Sequence, residues 1–128
     1  MPEILVIEDN ISVAKVLQDT LSLLGWVVTV ASSGYVAEKL LKSSNPSLIF
    51  MDLSLPGVDG ISLIKEIREN PLLCQVPIIL VTAAEPGSDG FPPQDSYQGI
   101  IHKPFDIKEV MTMAAQYLPA KEKAGASA

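Results

Sequence analysis

Five short runs of consecutive apolar residues, rich in β-branched side chains, recur along the chain. They predict strands at residues 4–7, 26–30, 48–51, 76–81 and 99–101. Because the apolar positions follow one another without alternating with polar ones, we expect these strands to be covered on both faces, as parallel strands are in α/β proteins.

In most of the intervals between these runs, apolar residues recur three or four positions apart, which predicts helices. Asn10 is placed to cap the first helix and Gly25 to end it in the left-handed conformation. Ser33 or Ser32 caps a second helix, and Asp106 with Glu109 forms a capping box for the last. The apolar positions of the four predicted helices are Val13, Leu17, Leu21 and Leu24; Val36, Leu40 and Leu41; Ile61, Ile64 and Ile67; and Ile107, Val110, Ala114 and Leu118.

The alternation of strand and helix predicts one α/β domain with a parallel sheet and right-handed crossovers. The stretch between the fourth and fifth strands departs from this pattern, since residues 86–93 contain three prolines and two glycines. Inside a helix, a proline costs ~3 kcal/mol and a glycine ~1 kcal/mol relative to alanine. We therefore expect the fourth helix of the alternation to be short or missing.

Charge and cysteine content exclude several classes of protein. The 128 residues include 15 acidic and 9 Lys or Arg side chains, for a net charge of −6, which disfavours direct binding to nucleic acid and to anionic membranes. No apolar stretch approaches the roughly 20 residues that span a bilayer, and the N-terminus lacks a signal-peptide pattern, so we expect a cytoplasmic protein without membrane insertion. The single cysteine, Cys74, excludes an internal disulfide and a cysteine-based metal cage.

Polar residues stand at the ends of four predicted strands: Glu8 and Asp9, Asp52, Thr82, and Lys103. The carboxyl ends of parallel strands meet at one edge of an open sheet, where ligands bind. Three carboxylates brought together there repel one another unless they share a proton or a cation. Oxygen ligands without Cys or His favour Mg²⁺ or Mn²⁺ over zinc. A carboxylate beside such a metal, with a lysine and a hydroxyl nearby, is suited to accept a phosphoryl group.

The same residues resemble the motifs of the receiver domains of two-component response regulators. The resemblance rests on Glu8-Asp9, the run DLSLPGVDG at 52–60, Thr82-Ala83 and Lys103-Pro104, in the family's order. It implies a doubly wound, five-stranded parallel sheet of order 2-1-3-4-5, which is flavodoxin-like and CheY-like. It also implies a cis bond at Lys103-Pro104. We expect the receiver domain to span residues 1–119, followed by a flexible tail at 120–128.

The resemblance also assigns roles to the site residues. It implies a single-domain response regulator, a switch or relay that receives its phosphoryl group from a histidine kinase or a histidine phosphotransfer protein and signals to an unknown downstream protein. Apart from its own phosphorylation and dephosphorylation, no enzymatic activity is implied. The implied roles are Asp52 as phosphoryl acceptor; Asp9, Asp52 and the backbone carbonyl of Ser54 as Mg²⁺ ligands; Glu8 acting through a metal-bound water; Lys103 pairing with a phosphoryl oxygen; and Thr82 donating a hydrogen bond to it.

Two departures from the family pattern favour an alternative function. Ile100 stands where receivers usually carry Tyr or Phe, so we do not expect aromatic rotamer switching, and Tyr97 is a weak substitute. The proline-rich stretch interrupts part of the face by which many receivers meet partners. The alternative is a phosphorylation-independent pseudo-receiver that acts as a constitutive protein-interaction module. The complete set of acidic residues, threonine and lysine opposes it.

Other functional classes fit less well. An aspartyl phosphatase needs a second Asp two residues after its nucleophile, where Ser54 stands. A flavodoxin needs a phosphate-cradling loop after the first strand, where Glu8 and Asp9 would repel phosphate. The remaining conspicuous side chains, His102, Trp26, Met111 and Met113, are expected to be solvated or to serve packing.

Overall fold

A computed structural model describes residues 3–55 and 59–118, in which five strands form one parallel sheet. The sheet order is β2-β1-β3-β4-β5, which confirms the predicted fold class. The expected tail at 120–128 and the motif residues 56–58 lie outside the described residues. The strands are β1 (Glu3–Ile7), β2 (Val27–Ala31), β3 (Leu48–Met51), β4 (Ile78–Thr82) and β5 (Gly99–His102).

Four α-helices connect or follow the strands, and the predicted caps form. Asn10 and Ser33 accept hydrogen bonds from the third backbone N–H after them, and Asp106 and Glu109 make the capping box. Gly25 adopts a positive φ of 86° just after the first helix. Among the described helices, none has the length and apolarity needed to cross a membrane. The helices are α1 (Ile11–Ser22), α2 (Gly34–Ser43), α3 (Gly60–Glu69) and α4 (Ile107–Tyr117).

The core has two parts, one on each face of the sheet. Alternate residues of β1 supply both parts, because successive side chains of a strand point to opposite faces. Leu5 and Ile7 pack with α2 and α3, whereas Ile4 and Val6 pack with α1 and α4. The central strands β1, β3 and β4 are therefore covered on both faces, as predicted.

Strands β2 and β4 differ in part from the prediction. Strand β2 has a strand neighbour on one side only, and Val27 is 49% exposed. It begins after Trp26, whose partly buried side chain packs against the core. Strand β4 begins at Ile78 because Pro77 has no N–H to offer a neighbouring strand.

Two predicted core positions on helices are exposed. Ile107 is 50% exposed because the stripe of α4 that faces the sheet begins one turn later, at Val110. In α2 the buried position is Ala37 rather than its neighbour Val36, which is 37% exposed. In α2 the neighbouring residue takes the inward position because adjacent residues point about 100° apart around the axis.

The connection between β4 and β5, residues 83–98, is described throughout and contains no α-helix. Its regular structure is one 3₁₀ turn at Gln94–Ser96, so the prediction of a short or missing fourth helix is confirmed. Gly87 and Gly90 have φ values of 88° and 81°, a region that suits glycine.

Candidate functional site

The backbone ladder fixes the residues that follow the strands at the carboxyl edge of the sheet. The N–H of Glu8 donates to Ala31 O at 3.0 Å, that of Asp52 to Ile7 O at 2.9 Å, and that of Lys103 to Thr82 O at 2.9 Å. Glu8, Asp52 and Lys103 therefore leave backbone positions that are hydrogen-bonded to a neighbouring strand. The predicted edge is thus formed by the hydrogen-bonded ends of the strands.

Three carboxylates converge at this edge. Glu8, Asp9 and Asp52 each present an oxygen, and these oxygens lie within 4.8 Å of one another. Glu8 is 2% and Asp52 6% exposed, whereas Asp9 faces solvent. Like charges this close repel one another. The group is electrostatically suited to a cation.

Lys103 supplies one positive charge to this group. Its Nζ lies 2.9 Å from Asp52 Oδ2 and 2.9 Å from Glu8 Oε1. Burial lowers the pKa of the Lys103 ammonium, but its bonds to Asp52 and Glu8 outweigh burial and raise that pKa overall. Lys103 is therefore held charged. Among the described residues, three carboxyl groups thus share one ammonium.

Glu8 is the least exposed carboxylate of the group. Burial raises the pKa of its carboxyl, while Lys103 and the N–H of Asn10, 3.1 Å from Oε2, act in the opposite direction. Although Glu8 Oε1 is within ion-pair distance of Lys103, it lies outside hydrogen-bond geometry and has no hydrogen-bond partner among the described residues. A hard cation or its water would satisfy it, so the donor set fits Mg²⁺.

Two further site residues hold the loops that follow their strands. Asp52 Oδ1 accepts from the N–H of Ser54 at 2.9 Å. Thr82 is 2% exposed, and its Oγ1 accepts from the N–H of Ala84 at 3.1 Å. The Lys103–Pro104 bond is cis, as the resemblance implied. The site side chains predicted from strand ends thus lie on one edge, with Thr82 tied to the long 83–98 connection.

Comparison with known proteins identifies the family. A family profile described as the response regulator receiver domain matches residues 4–115. The chain belongs to the response regulator receiver domain family. This receiver is 32% identical over 126 residues to a probable transcriptional regulator, ycf27, of Porphyridium aerugineum, covering 98% of the chain and 51% of the relative. The chain thus spans about half the length of that curated relative.

Solved structures agree with this assignment. The receiver domain of the sensor histidine kinase PA1611 from Pseudomonas aeruginosa, which has a magnesium ion coordinated in its active-site cleft, is 31% identical. It matches with a TM-score of 0.81 over 91% of this chain and 96% of its own. The chemotaxis response regulator CheY4 of Vibrio cholerae matches with a TM-score of 0.79 over 92% of this chain and 99% of its own. At 22% identity, CheY4 supports the fold alone.

The surroundings of Ile100 show what replaces the usual aromatic residue of a receiver. Ile100 is half-buried and packs against the part of the core shared with α2 and α3, together with Tyr97 and Phe91. The rings of Phe91 and Tyr97 meet edge to face, with centroids 5.7 Å apart and an interplanar angle of 80°. These side chains line an open concavity of about 760 Å³ beside the irregular connection. His102 is exposed, as expected.

Two residues of this receiver were missed in the sequence. Asp59 caps α3 by accepting from the N–H and hydroxyl of Ser62, bonds that lower the pKa of Asp59. Its signal was an Asp directly before a helical stripe. Arg68 binds several backbone carbonyls around the end of the irregular connection. Its signal was a charged residue four positions after Ile64, at the margin of the buried stripe of α3.

Proposed function

We propose that this receiver accepts a phosphoryl group on Asp52 and acts as a phosphorylation-dependent signalling switch or relay. The observation that carries the proposal is the 2.9 Å bond between Lys103 Nζ and the buried Asp52 Oδ2, beside the buried carboxylate of Glu8. A carboxylate held beside a fixed positive charge and shielded from water is suited to nucleophilic attack on phosphorus.

The donor set supports a magnesium requirement. Asp9, Asp52 and the backbone carbonyl of Ser54 would hold Mg²⁺, with Glu8 acting through a water, and Mn²⁺ suits the same oxygens. When bound, the metal neutralises charge that builds on the phosphoryl oxygens. The convergence of three carboxylates within 4.8 Å, with one lysine shared between two of them, is the observation of this chain that supports the fit.

The proposed transfer uses side chains that the sheet already positions. An oxygen of Asp52 forms a bond to phosphorus while the phosphorus–nitrogen bond of a phosphohistidine donor breaks, and the donor nitrogen keeps the electron pair and takes a proton from solvent. Lys103 then pairs with a phosphoryl oxygen, and the hydroxyl of Thr82 donates a hydrogen bond to it. The proposed donor is a histidine kinase or a histidine phosphotransfer protein.

The response is proposed to leave the site through Thr82. Once its hydroxyl engages the phosphoryl group, the hydrogen bond that this hydroxyl accepts from the N–H of Ala84 changes, and the change passes into the 83–98 connection. The net charge of −6 supports a protein, rather than nucleic acid, as the direct partner of this domain.

Intact-mass measurement after incubation with acetyl phosphate tests the proposal. We expect one added phosphoryl group in MgCl₂, none in chelator, and none in Asp52→Asn, because an amide is a poor nucleophile and a weak ligand. Asp59→Asn is the matched control: it changes an exposed carboxylate to another good helix cap and is expected to label normally. Label that persists in Asp52→Asn would contradict the site, and an unlabelled wild type would favour the constitutive interaction module.

A further inference from the structure

Arg68, near the C-terminal end of α3, binds the C-terminal end of the 83–98 connection. We call this end, at Ser96 to Gln98, the distal end. Its Nη1 donates to the carbonyls of Cys74 at 3.1 Å and Val76 at 2.7 Å. Its Nε and Nη2 both donate to Ser96 O, at 3.1 and 2.9 Å, and Nη2 also donates to Gln98 Oε1 at 2.9 Å. Burial lowers the pKa of Arg68, but a guanidinium stays charged in proteins, so these bonds are charge-assisted.

Gln98 extends the same attachment to the sheet and to α4. Its Oε1 also accepts from the N–H of Ile78 at 2.8 Å, and its own N–H donates to Ile78 O at 2.8 Å. Its carbonyl accepts from the hydroxyl of Tyr117 at 3.1 Å. The distal end of the connection is thereby tied to α3, β4 and α4.

The proximal end of the connection, residues 84–91, makes few hydrogen bonds to the rest of the domain. The hydrogen bonds of residues 84–91 run within that segment or back to Thr82: Ser88 donates to Glu85 O from its N–H and its hydroxyl, and Phe91 N–H donates to Ser88 O. Residues 85–90 are exposed, and a Cβ added to Gly87 or Gly90 would meet nothing within 4 Å. Segments with so few outside contacts open at low free-energy cost.

We propose that Arg68 is a fixed anchor that divides this connection into a responsive part, residues 83–91, and a static part, residues 92–98. Pro92 is buried and Phe91 packs on Tyr97, which places the boundary at the apolar contact between the two parts. The role of the responsive part rests on the proposed function, because Thr82 connects it to Asp52. The anchor itself does not depend on phosphorylation. A change at Asp52 then alters the surface beside Thr82 without moving the start of β5.

Amide hydrogen exchange in the ligand-free protein tests the anchor alone. Arg68→Gln removes the guanidinium group and its charged hydrogen bonds. The exchange of the Gln98 and Ile78 amides should then accelerate about tenfold or more, since hydrogen bonds to charged groups contribute about 1.5–3 kcal/mol each. Lys65→Gln is the matched control: it removes the same charge from an exposed position of α3 and should leave both amides unchanged. Unchanged exchange in Arg68→Gln would overturn the anchor. If that variant fails to fold, Arg68→Lys keeps the charge but loses the planar guanidinium, and it serves the same comparison.

Beryllofluoride with Mg²⁺, standing in for the phosphoryl group on Asp52, tests the division. In the wild type, exchange should change in residues 83–91 and stay the same at Gln98, whereas in Arg68→Gln the change should extend to Gln98. A change that reaches Gln98 in the wild type, or stays confined in Arg68→Gln, would overturn the proposal. If beryllofluoride produces no change anywhere and Asp52 is not labelled, the proposed function fails. In that case Ser88→Gly tests the division without phosphoryl chemistry, because it removes the hydroxyl bond to Glu85 O within residues 84–91. The exchange of the Gln98 and Ile78 amides is again the measurement.

Discussion

Lys103 and Asp52 are 51 residues apart in the chain, yet their side chains share a 2.9 Å hydrogen bond. The pairing of β3 with β4 and of β4 with β5 brings them together at one edge of the sheet. Because the same ammonium also lies 2.9 Å from Glu8, it is shared by two buried carboxylates. The positive charge is therefore part of what makes this acidic edge compatible with a folded protein.

Lys103→Met is expected to destabilise the metal-free protein. Glu8 and Asp52 would remain buried without their counter-charge, and we expect a loss of about 1–3 kcal/mol in the free energy of unfolding. Millimolar Mg²⁺ should restore part of this loss by supplying another cation. Urea denaturation with Mg²⁺ and with chelator measures both effects. Lys108→Met, at an exposed position of α4, is the control, and equal losses in the two variants would contradict the role of Lys103.

Mg²⁺ should raise the melting temperature of the wild type, because a ligand that binds only the folded state stabilises it. Asp9→Ala should remove most of this response, and it should stabilise the metal-free protein because one of three mutually repelling charges is gone. Thermal melting in MgCl₂ and in chelator measures the difference. Asp19→Ala, which breaks only an exposed ion pair with Lys15, should respond to Mg²⁺ like the wild type. Identical melting of the wild type in both buffers would contradict a metal site.

A carboxyl pair between α2 and α3 should give a measurable pH dependence. A hydrogen bond that the protonated carboxyl of Glu66 donates to Glu38 raises the pKa of Glu66 above its ordinary value of 4.5, so the folded state binds this proton more tightly than the unfolded chain does. The stabilisation is therefore complete below about pH 4.5 and is lost as pH rises through the raised pKa.

Glu66→Gln keeps a hydrogen-bonding side chain without the charge. We expect a gain of about 0.5 kcal/mol or less at pH 7, since the group is largely exposed, and little difference near pH 4. Denaturation midpoints of wild type and variant across this range check the trend, with Glu85→Gln in the exposed loop as control. A difference that does not change with pH would contradict the pairing.

The fold was predictable for the strands that are buried on both faces of the sheet. Strands β1, β3 and β4 are covered on both faces, so their apolar runs carry an unambiguous signal. The burial of β2 was mispredicted because an edge position depends on which strands become neighbours, a non-local property that a single run does not record. The missing helix was predictable because proline and glycine act on the local backbone.

The site was predictable because it follows one topological rule. Glu8, Asp52 and Lys103 stand directly after strands and Thr82 is the last residue of β4, and parallel strands share one carboxyl edge. Arg68 was not predictable in the same way, because four of its five hydrogen bonds go to backbone carbonyls, of Cys74, Val76 and Ser96, which carry no residue-type signal.

Thr82→Ala is expected to weaken the loop response while leaving Asp52 able to accept a phosphoryl group. The variant loses the hydroxyl that binds Ala84 N–H and that is proposed to engage the phosphoryl oxygen. Hydrogen exchange of residues 83–90 with and without beryllofluoride measures the response, and intact mass measures labelling. Thr82→Ser, which keeps the hydroxyl, should retain most of the response. A full response in Thr82→Ala would contradict this route.

Ile100→Ala separates packing from signalling. Ile100 packs against the core beside β4 but has no ring to swing between solvent and an inner pocket, and its β-branched side chain has a stiff χ1. Truncation should cost about 2 kcal/mol of stability by leaving a cavity, less than a fully buried site would lose. The beryllofluoride response at 83–90 should persist, because Thr82 and the loop backbone are unchanged. If Ile100→Ala abolishes that response in protein that is folded and labelled on Asp52, then Ile100 itself couples the site to the loop, and the route through Thr82 alone is wrong.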